Sequence, residues 1–287
     1  MARGRLPDFI VIGAVKAATT WIQVQLQANP AIFMPDPEPH FFSREYHLGK
    51  EHYRSWFEPA PRGASLVGEK SADYLSDPEV PRRIAAMLPD ARLVVQLRDP
   101  VERAYSHYKM FFRRGLVSAS PEQYLRSPDN AFPQFLLDGL YGRHIRNWQA
   151  HFDKRQILAF RYEDVGTDAE RIVGRVSRHI GAETVFDPAA ASQRENDSRA
   201  RILPLPVRNL LGPLKQSAKP FRGRPWFEGA RSLLAKEIAY PPLPDDLRCH
   251  LAEFYREDIA LAESLLELDL SGWRNGDGAV VRAAAMT

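Results

Sequence analysis

The chain has 287 residues, 44% of them hydrophobic and 26% charged, which suits a globular protein and excludes disorder, collagen and coiled coil. Thirty-nine Lys and Arg against 36 Asp and Glu leave a formal charge of +3, too slight an excess for wholesale nucleic-acid binding. A single cysteine, Cys249, excludes an internal disulfide and any multi-cysteine metal site and suits a reducing compartment.

In chain order, residues 1–8 carry two arginines and lead into an apolar run at residues 9–12, which is too short for a signal peptide. No other stretch approaches the roughly 20 apolar residues a membrane-spanning helix needs, so a cytoplasmic protein without a membrane span is expected. Short apolar runs at residues 9–12, 65–67, 93–97 and 157–160 read as buried strands between amphipathic segments. That alternation predicts an α/β fold with a mostly parallel central sheet flanked by helices. Asp77-Pro78-Glu79 and Asp99-Pro100-Val101-Glu102 each place a capping carboxylate and a proline at a helix start. Near the C-terminus, Leu251, Tyr255, Ile259, Ala262 and Leu266 form one apolar helical stripe, a packing face. All 287 residues are read as one domain.

Residues 187–225 stand apart, with six prolines and eight Lys or Arg against three acids. Such a segment is either a basic flap over an anionic ligand or a solvated linker. Residues 274–287 read as a flexible tail. No internal repeat is present, and no feature of the sequence sets the oligomeric state.

Two segments carry chemistry. Gly13-Ala14-Val15-Lys16-Ala17-Ala18-Thr19-Thr20-Trp21 follows the first apolar run with a small-residue loop and a helix start. Unpaired backbone N–H groups at the positive end of a helix, with threonine hydroxyls and a lysine, make an anion cradle. The spacing differs from an ATP or GTP loop, where lysine directly precedes the hydroxyl; here Lys16 stands three residues before Thr19. In the second segment Arg98 ends a predicted strand, where open α/β sheets bind ligands, and Ser106 follows about two helical turns later. Arginine's planar fork and a serine hydroxyl suit a phosphate; the alternative is an Arg98 paired with a nearby acid.

With these segments in place the chain resembles the PAPS-dependent sulfotransferases, in particular their carbohydrate branch with its heparan sulfate enzymes and bacterial members. The Gly13 to Thr20 loop is similar to that family's 5′-phosphosulfate loop, commonly K-x-G-T-T, and Arg98 through Ser106 to its 3′-phosphate motif. Glu38-Pro39-His40-Phe41-Phe42 resembles K-E-x-H-F-F, whose glutamate is the general base, and Gly68-Glu69-Lys70-Ser71-Ala72-Asp73-Tyr74 resembles G-E-K-[ST]-x-x-Y. Segments around Tyr141 to Trp148 and Gln156 to Asp164 also read as family sequence, and Arg222-Gly223-Arg224 is similar to a K-G-R loop that closes over the nucleotide. Two departures stand out: Ala18 replaces a glycine, which fits if it keeps negative φ, and Pro37 replaces the lysine before the base, removing a cation.

The resemblance implies a P-loop-like sulfotransferase fold and transfer of a sulfuryl group from PAPS to a hydroxyl of a carbohydrate, a glycosylated compound or another small molecule, releasing 3′,5′-ADP. It implies catalytic roles for Glu38, Lys16 and Lys70, with Glu38 the base and Lys16 steadying charge on the leaving oxygen. Nucleotide binding would fall to Gly13, Lys16, Ala17, Ala18, Thr19, Thr20, Trp21, Arg98, Ser106, Arg222, Gly223 and Arg224, and acceptor binding to His40 and Lys70. No metal is expected, since a sulfuryl group carries less charge than a phosphoryl group, and no nucleic-acid partner. The alternatives are a phosphate-loop kinase or ATPase and a polyanion-binding protein without turnover.

Overall fold

Strand β1 (Phe9–Gly13) is buried throughout, and its side chains point alternately to the two faces of a sheet. The computed structural model describes residues 5–192 and 238–274. It places β1 at the centre of a five-stranded sheet ordered β2-β3-β1-β4-β5. The other strands are β2 (Ile32–Phe33), β3 (Leu66–Lys70), β4 (Arg92–Leu97) and β5 (Ile157–Arg161), and every neighbouring pair is parallel. Parallel pairing requires crossovers and a sheet covered on both faces.

Two apolar layers supply that cover. On one face Ile10, Ile12, Leu93, Val95 and Leu97 join Tyr141, Trp148, Leu251 and Tyr255. On the other Phe9, Val11 and Val94 pack with Ile22, Leu26, Val173 and Val176. The second layer comes from α1 (Thr19–Gln27) and a long helix after β5. The expected apolar stripe near the C-terminus lies in the first layer, with Leu251, Tyr255, Ile259 and Ala262 buried. Gly68 is dictated by packing: a Cβ there would fall 2.2 Å from the Phe9 ring, so β1 and β3 could not hold this register with a larger residue.

Four of the strands lie where the apolar runs predict them. β2 was not expected, because a two-residue edge strand leaves no periodicity to read. Between β2 and β3 run a π-helical turn, Phe41–Glu45, and α2 (Gly49–Ser55). Helix α3 (Val80–Met87) begins later than its Asp77 cap suggests. Asp77 Oδ1 accepts the N–H of Glu79 at 2.9 Å and closes a local turn, and Pro81 marks the true first turn. Helix α4 (Pro100–Arg114) starts as predicted, with the Asp99 carboxylate accepting from the N–H groups of Val101 and Glu102.

The remaining long helices are α5 (Tyr141–Gln149), α6 (Val165–Ile180) and α7 (Asp245–Leu266). Of the basic Pro-rich segment, Pro188–Ser192 is helical, and the residues from 193 through 225, with Arg222, Gly223 and Arg224, lie outside the described residues. Arg274 closes the helical turn Ser271–Arg274 and pairs with Glu263 at 2.9 Å; residues 275–287 also lie outside. Among the described residues no helix is long and apolar enough to cross a membrane.

Candidate active site

The C-terminal ends of β1, β3 and β4 converge at the edge where ligands of open parallel sheets bind. From β1 the chain turns at Gly13 into the loop that opens α1. Ala14, Ala17 and Trp21 donate their N–H groups to the carbonyls of Gln96, Ala14 and Ala18. Those of Lys16, Ala18, Thr19 and Thr20 have no acceptor among the described residues, as an anion cradle requires. Ala17 is packed in the core and its N–H is engaged, so it shapes the loop from beneath. The Trp21 indole Nε1 is buried without a hydrogen-bond partner among the described residues.

Ala18 departs from expectation. It sits at φ 61, ψ 37, in the left-handed region, and Lys16 does so too at φ 69. The loop must reverse direction to present its N–H groups at the helix start, and the Ala18 carbonyl accepts the Trp21 N–H that begins α1. Ala18 is exposed, and the conformation costs about 1–2 kcal/mol of backbone strain.

Lys16 is half-buried among cations. Burial first, then Arg98, Arg114, Lys109 and Arg103, pull its pKa down to about 8. Arg98, at the end of β4, donates from one guanidinium nitrogen to the Lys16 carbonyl at 3.2 Å, and its guanidinium carbon lies 5.2 Å from the centroid of the Tyr162 ring. The Tyr141 hydroxyl donates to the Arg98 carbonyl at 2.9 Å, and Glu163 accepts the N–H of Asp99. The two family-like segments after residue 140 therefore hold the Arg98 turn in place. Arg98 also meets an acid, Glu102, but only end-on at 3.8 Å. Ser106 lies one turn beyond Glu102 on α4, half-buried, and its hydroxyl has no partner among the described residues.

Across β1, at the end of β3, Lys70 has its side chain only 3% exposed. Its ammonium donates to Glu38 Oε1 at 2.7 Å and lies 3.5 Å from Thr20 Oγ1. Glu38 Oε2 accepts the Ala72 N–H at 3.0 Å and stands 3.8 Å from His40 Nε2. Glu38 is thus paired with a cation from β3. His40 is no core residue: its Nδ1 bonds Asp73 Oδ1 at 2.7 Å, and Asp73 also accepts from Ser43 and pairs with Arg44. Asp73 has its pKa lowered: burial opposes the charge, and the hydrogen bond and charge of His40 with Arg44 outweigh it.

One carboxyl beneath this site was not foreseen as functional. Glu69 is fully buried, and burial pushes its pKa up to about 7 against hydrogen bonds from Tyr53, Ser71 and Tyr74. Tyr53 donates at 2.5 Å and Ser71 at 2.9 Å. Ser71 Oγ in turn accepts the His40 N–H, and the Tyr74 hydroxyl accepts the Phe42 N–H. The network fixes the backbone just after Glu38. Its tyrosines could be suspected from the apolar pattern around them, but no local spacing pairs Tyr53 with Glu69. Among the described residues, no group of three or more His, Cys, Asp or Glu could hold a metal ion.

Residues 41–188 match the family described as the sulfotransferase family, a stretch that includes Lys70, Arg98 and Ser106. The chain is 29% identical to the human bifunctional heparan sulfate N-deacetylase/N-sulfotransferase 3 over 92% of its own length, spanning 30% of that protein. It is 33% identical to the human heparan sulfate glucosamine 3-O-sulfotransferase 6 over 64% of its length, spanning 54% of that protein. The chain thus spans about a third to a half of these curated relatives. A sulfotransferase from Alicyclobacillus acidocaldarius shares the fold, with TM-score 0.69 and 23% identity over 94% of this chain and 99% of the other.

Proposed function

The chain belongs to the sulfotransferase family, in its carbohydrate branch, and from that premise we propose that it transfers a sulfuryl group from PAPS to a hydroxyl of a carbohydrate or glycosylated small-molecule acceptor, releasing 3′,5′-ADP. The observation that carries the reading is Lys70, one buried cation set between the Glu38 carboxylate and the threonine of the phosphate loop. It joins a base to an anion cradle at one sheet edge, which is what transfer from a bound anion to a hydroxyl needs.

The donor supplies an activated sulfuryl group. Lys16, Thr19, Thr20 and the unpaired N–H groups of the loop hold the 5′ end, and Lys16 neutralises charge as the bridging oxygen departs. Arg98 and Ser106 hold the 3′-phosphate, which separates PAPS from ATP. Glu38 takes the proton of the acceptor hydroxyl; two of its roughly four lone-pair sites are occupied by Lys70 and Ala72, leaving room for the incoming group. As Glu38 loses its charge, Lys70 is released to meet the charge gathering on the transferring group. His40 and Lys70 border the acceptor. Outside the described residues, Arg222, Gly223 and Arg224 are assigned to the nucleotide by resemblance alone. We take residues 1–287 as one catalytic unit acting in the cytoplasm without a metal.

The test is calorimetric titration with 3′,5′-ADP and with 5′-AMP, both with EDTA, followed by PAPS turnover on saccharide acceptors. Tight binding of 3′,5′-ADP with much weaker 5′-AMP is expected, and Arg98→Ala is expected to remove about 1.5–3 kcal/mol from the first alone. Equal affinity for the two ligands would refute the assignment.

A further inference from the structure

Glu102 is an awkward neighbour for a phosphate site. Its side chain is only 8% exposed, and its Oε2 lies 3.8 Å from the Arg98 guanidinium. A carboxylate so close competes with a phosphate for the same arginine and repels the phosphate directly. Its presence is understandable at the start of α4, where the helix dipole favours an acid.

The structure also shows what restrains it. Arg248, on α7 and 146 residues away in sequence, donates to Glu102 Oε1 at 2.7 Å. That bond is short and direct, whereas the Arg98 contact is beyond hydrogen-bond reach. Arg98 makes its one direct hydrogen bond to the Lys16 carbonyl, and its other N–H groups have no acceptor among the described residues. The carboxylate is therefore turned toward α7, and the arginine fork stays available.

We propose that Arg248 is a positioning residue for the 3′-phosphate site: by holding Glu102 it keeps that carboxylate from capturing Arg98 and offsets its charge toward the nucleotide. This rests on the proposed reading of Arg98 as the 3′-phosphate ligand. It assigns a nucleotide-selecting role to α7, a helix whose buried stripe otherwise serves packing. The specificity concerned is for a 3′-phosphorylated nucleotide over one without that group.

A double-mutant cycle read by calorimetry with 3′,5′-ADP and 5′-AMP tests it. Arg248→Ala is expected to weaken 3′,5′-ADP about tenfold, the scale of one charge interaction in a partly buried site, and 5′-AMP less than about twofold. Glu102→Gln, which keeps the shape and hydrogen-bonding reach of the side chain, is expected to tighten 3′,5′-ADP by about threefold. In the Glu102→Gln background Arg248→Ala is then nearly silent, within about twofold, because no charge is left to restrain. Arg248→Lys restores most of the wild-type preference, which guards against an alanine variant that folds poorly. If Arg248→Ala weakened both ligands alike, or lost as much in the Glu102→Gln background as alone, Arg248 would act on the fold or on the phosphate itself and the inference would fall. A wild-type protein that binds 5′-AMP as well as 3′,5′-ADP would overturn the 3′-phosphate reading, and the role of Arg248 with it.

Discussion

Lys16 gives the most quantitative prediction. Burial and four surrounding cations hold its pKa at about 8, so at pH 8 half of the free protein carries a neutral amine at this position. A bound polyanion offsets the four cations and raises the pKa. Binding of 3′,5′-ADP should therefore take up as much as about 0.5 proton at pH 8 and about 0.9 at pH 9, the deprotonated fraction of Lys16 at each pH. The ligand adds nothing at pH 8 and above, because its phosphates, with second pKa values about 6, are already ionised. Affinity should fall about tenfold from pH 7 to pH 9 as the charged fraction falls. Calorimetry at fixed pH in buffers of different ionisation enthalpy reads the uptake directly. Lys16→Met should bind more weakly and take up no proton at pH 8. An uptake that persists in Lys16→Met, or that is missing in the wild type, would refute the placement of this amine against the ligand.

Three other outcomes are expected. Glu38→Gln should lower the transfer rate about 10²–10⁴-fold and leave 3′,5′-ADP affinity unchanged; a rate within threefold of wild type would move the base elsewhere. Glu69 holds its proton to about pH 7 when folded and to 4.5 when unfolded, so the folded state binds more protons between these values and stability falls as pH rises through that window. Denaturant unfolding should show the wild type losing about 2.5 kcal/mol more than Glu69→Gln between pH 5 and pH 8; parallel losses would mean that Glu69 ionises normally. Ala18→Gly relieves a left-handed alanine and should raise stability by about 0.5–1 kcal/mol, measured by the same unfolding curves, whereas a loss would mean that the loop does not hold this conformation in solution.

The placement of the candidate nucleotide residues was largely legible because it is local. Lys16, Thr19 and Thr20 lie on one strand-loop-helix run, and Arg98 and its capping Asp99 on another, so spacing alone brings the groups to strand ends. Four of the five strands were legible for the same reason, each containing a short, mainly apolar run. What sequence could not show depends on contacts between distant residues. Glu69 needs Tyr53 from α2 to become a buried carboxyl, and Glu102 needs Arg248 from α7. Lys70 could be suspected of function, but not that it would pair with Glu38, 32 residues away in sequence. Ala18 was misjudged because the tolerance of alanine for positive φ was weighed without the demand of the loop for a reversal there.

The position of β1 between β3 and β4 divides the labour of the site. Among the described residues, the side chains proposed to touch the donor's two phosphates hang from β1 and β4, while Glu38, His40, Lys70 and Asp73 hang from β3 and the segment entering it. On the proposed roles the central strand is a seam between two modules, which predicts that changes in residues 34–60 alter acceptor preference and leave the donor half unchanged. A chimera carrying that segment from a relative with a different acceptor should change which hydroxyl is modified and retain the parent's 3′,5′-ADP affinity; a matching loss of nucleotide binding would show that the seam does not separate them.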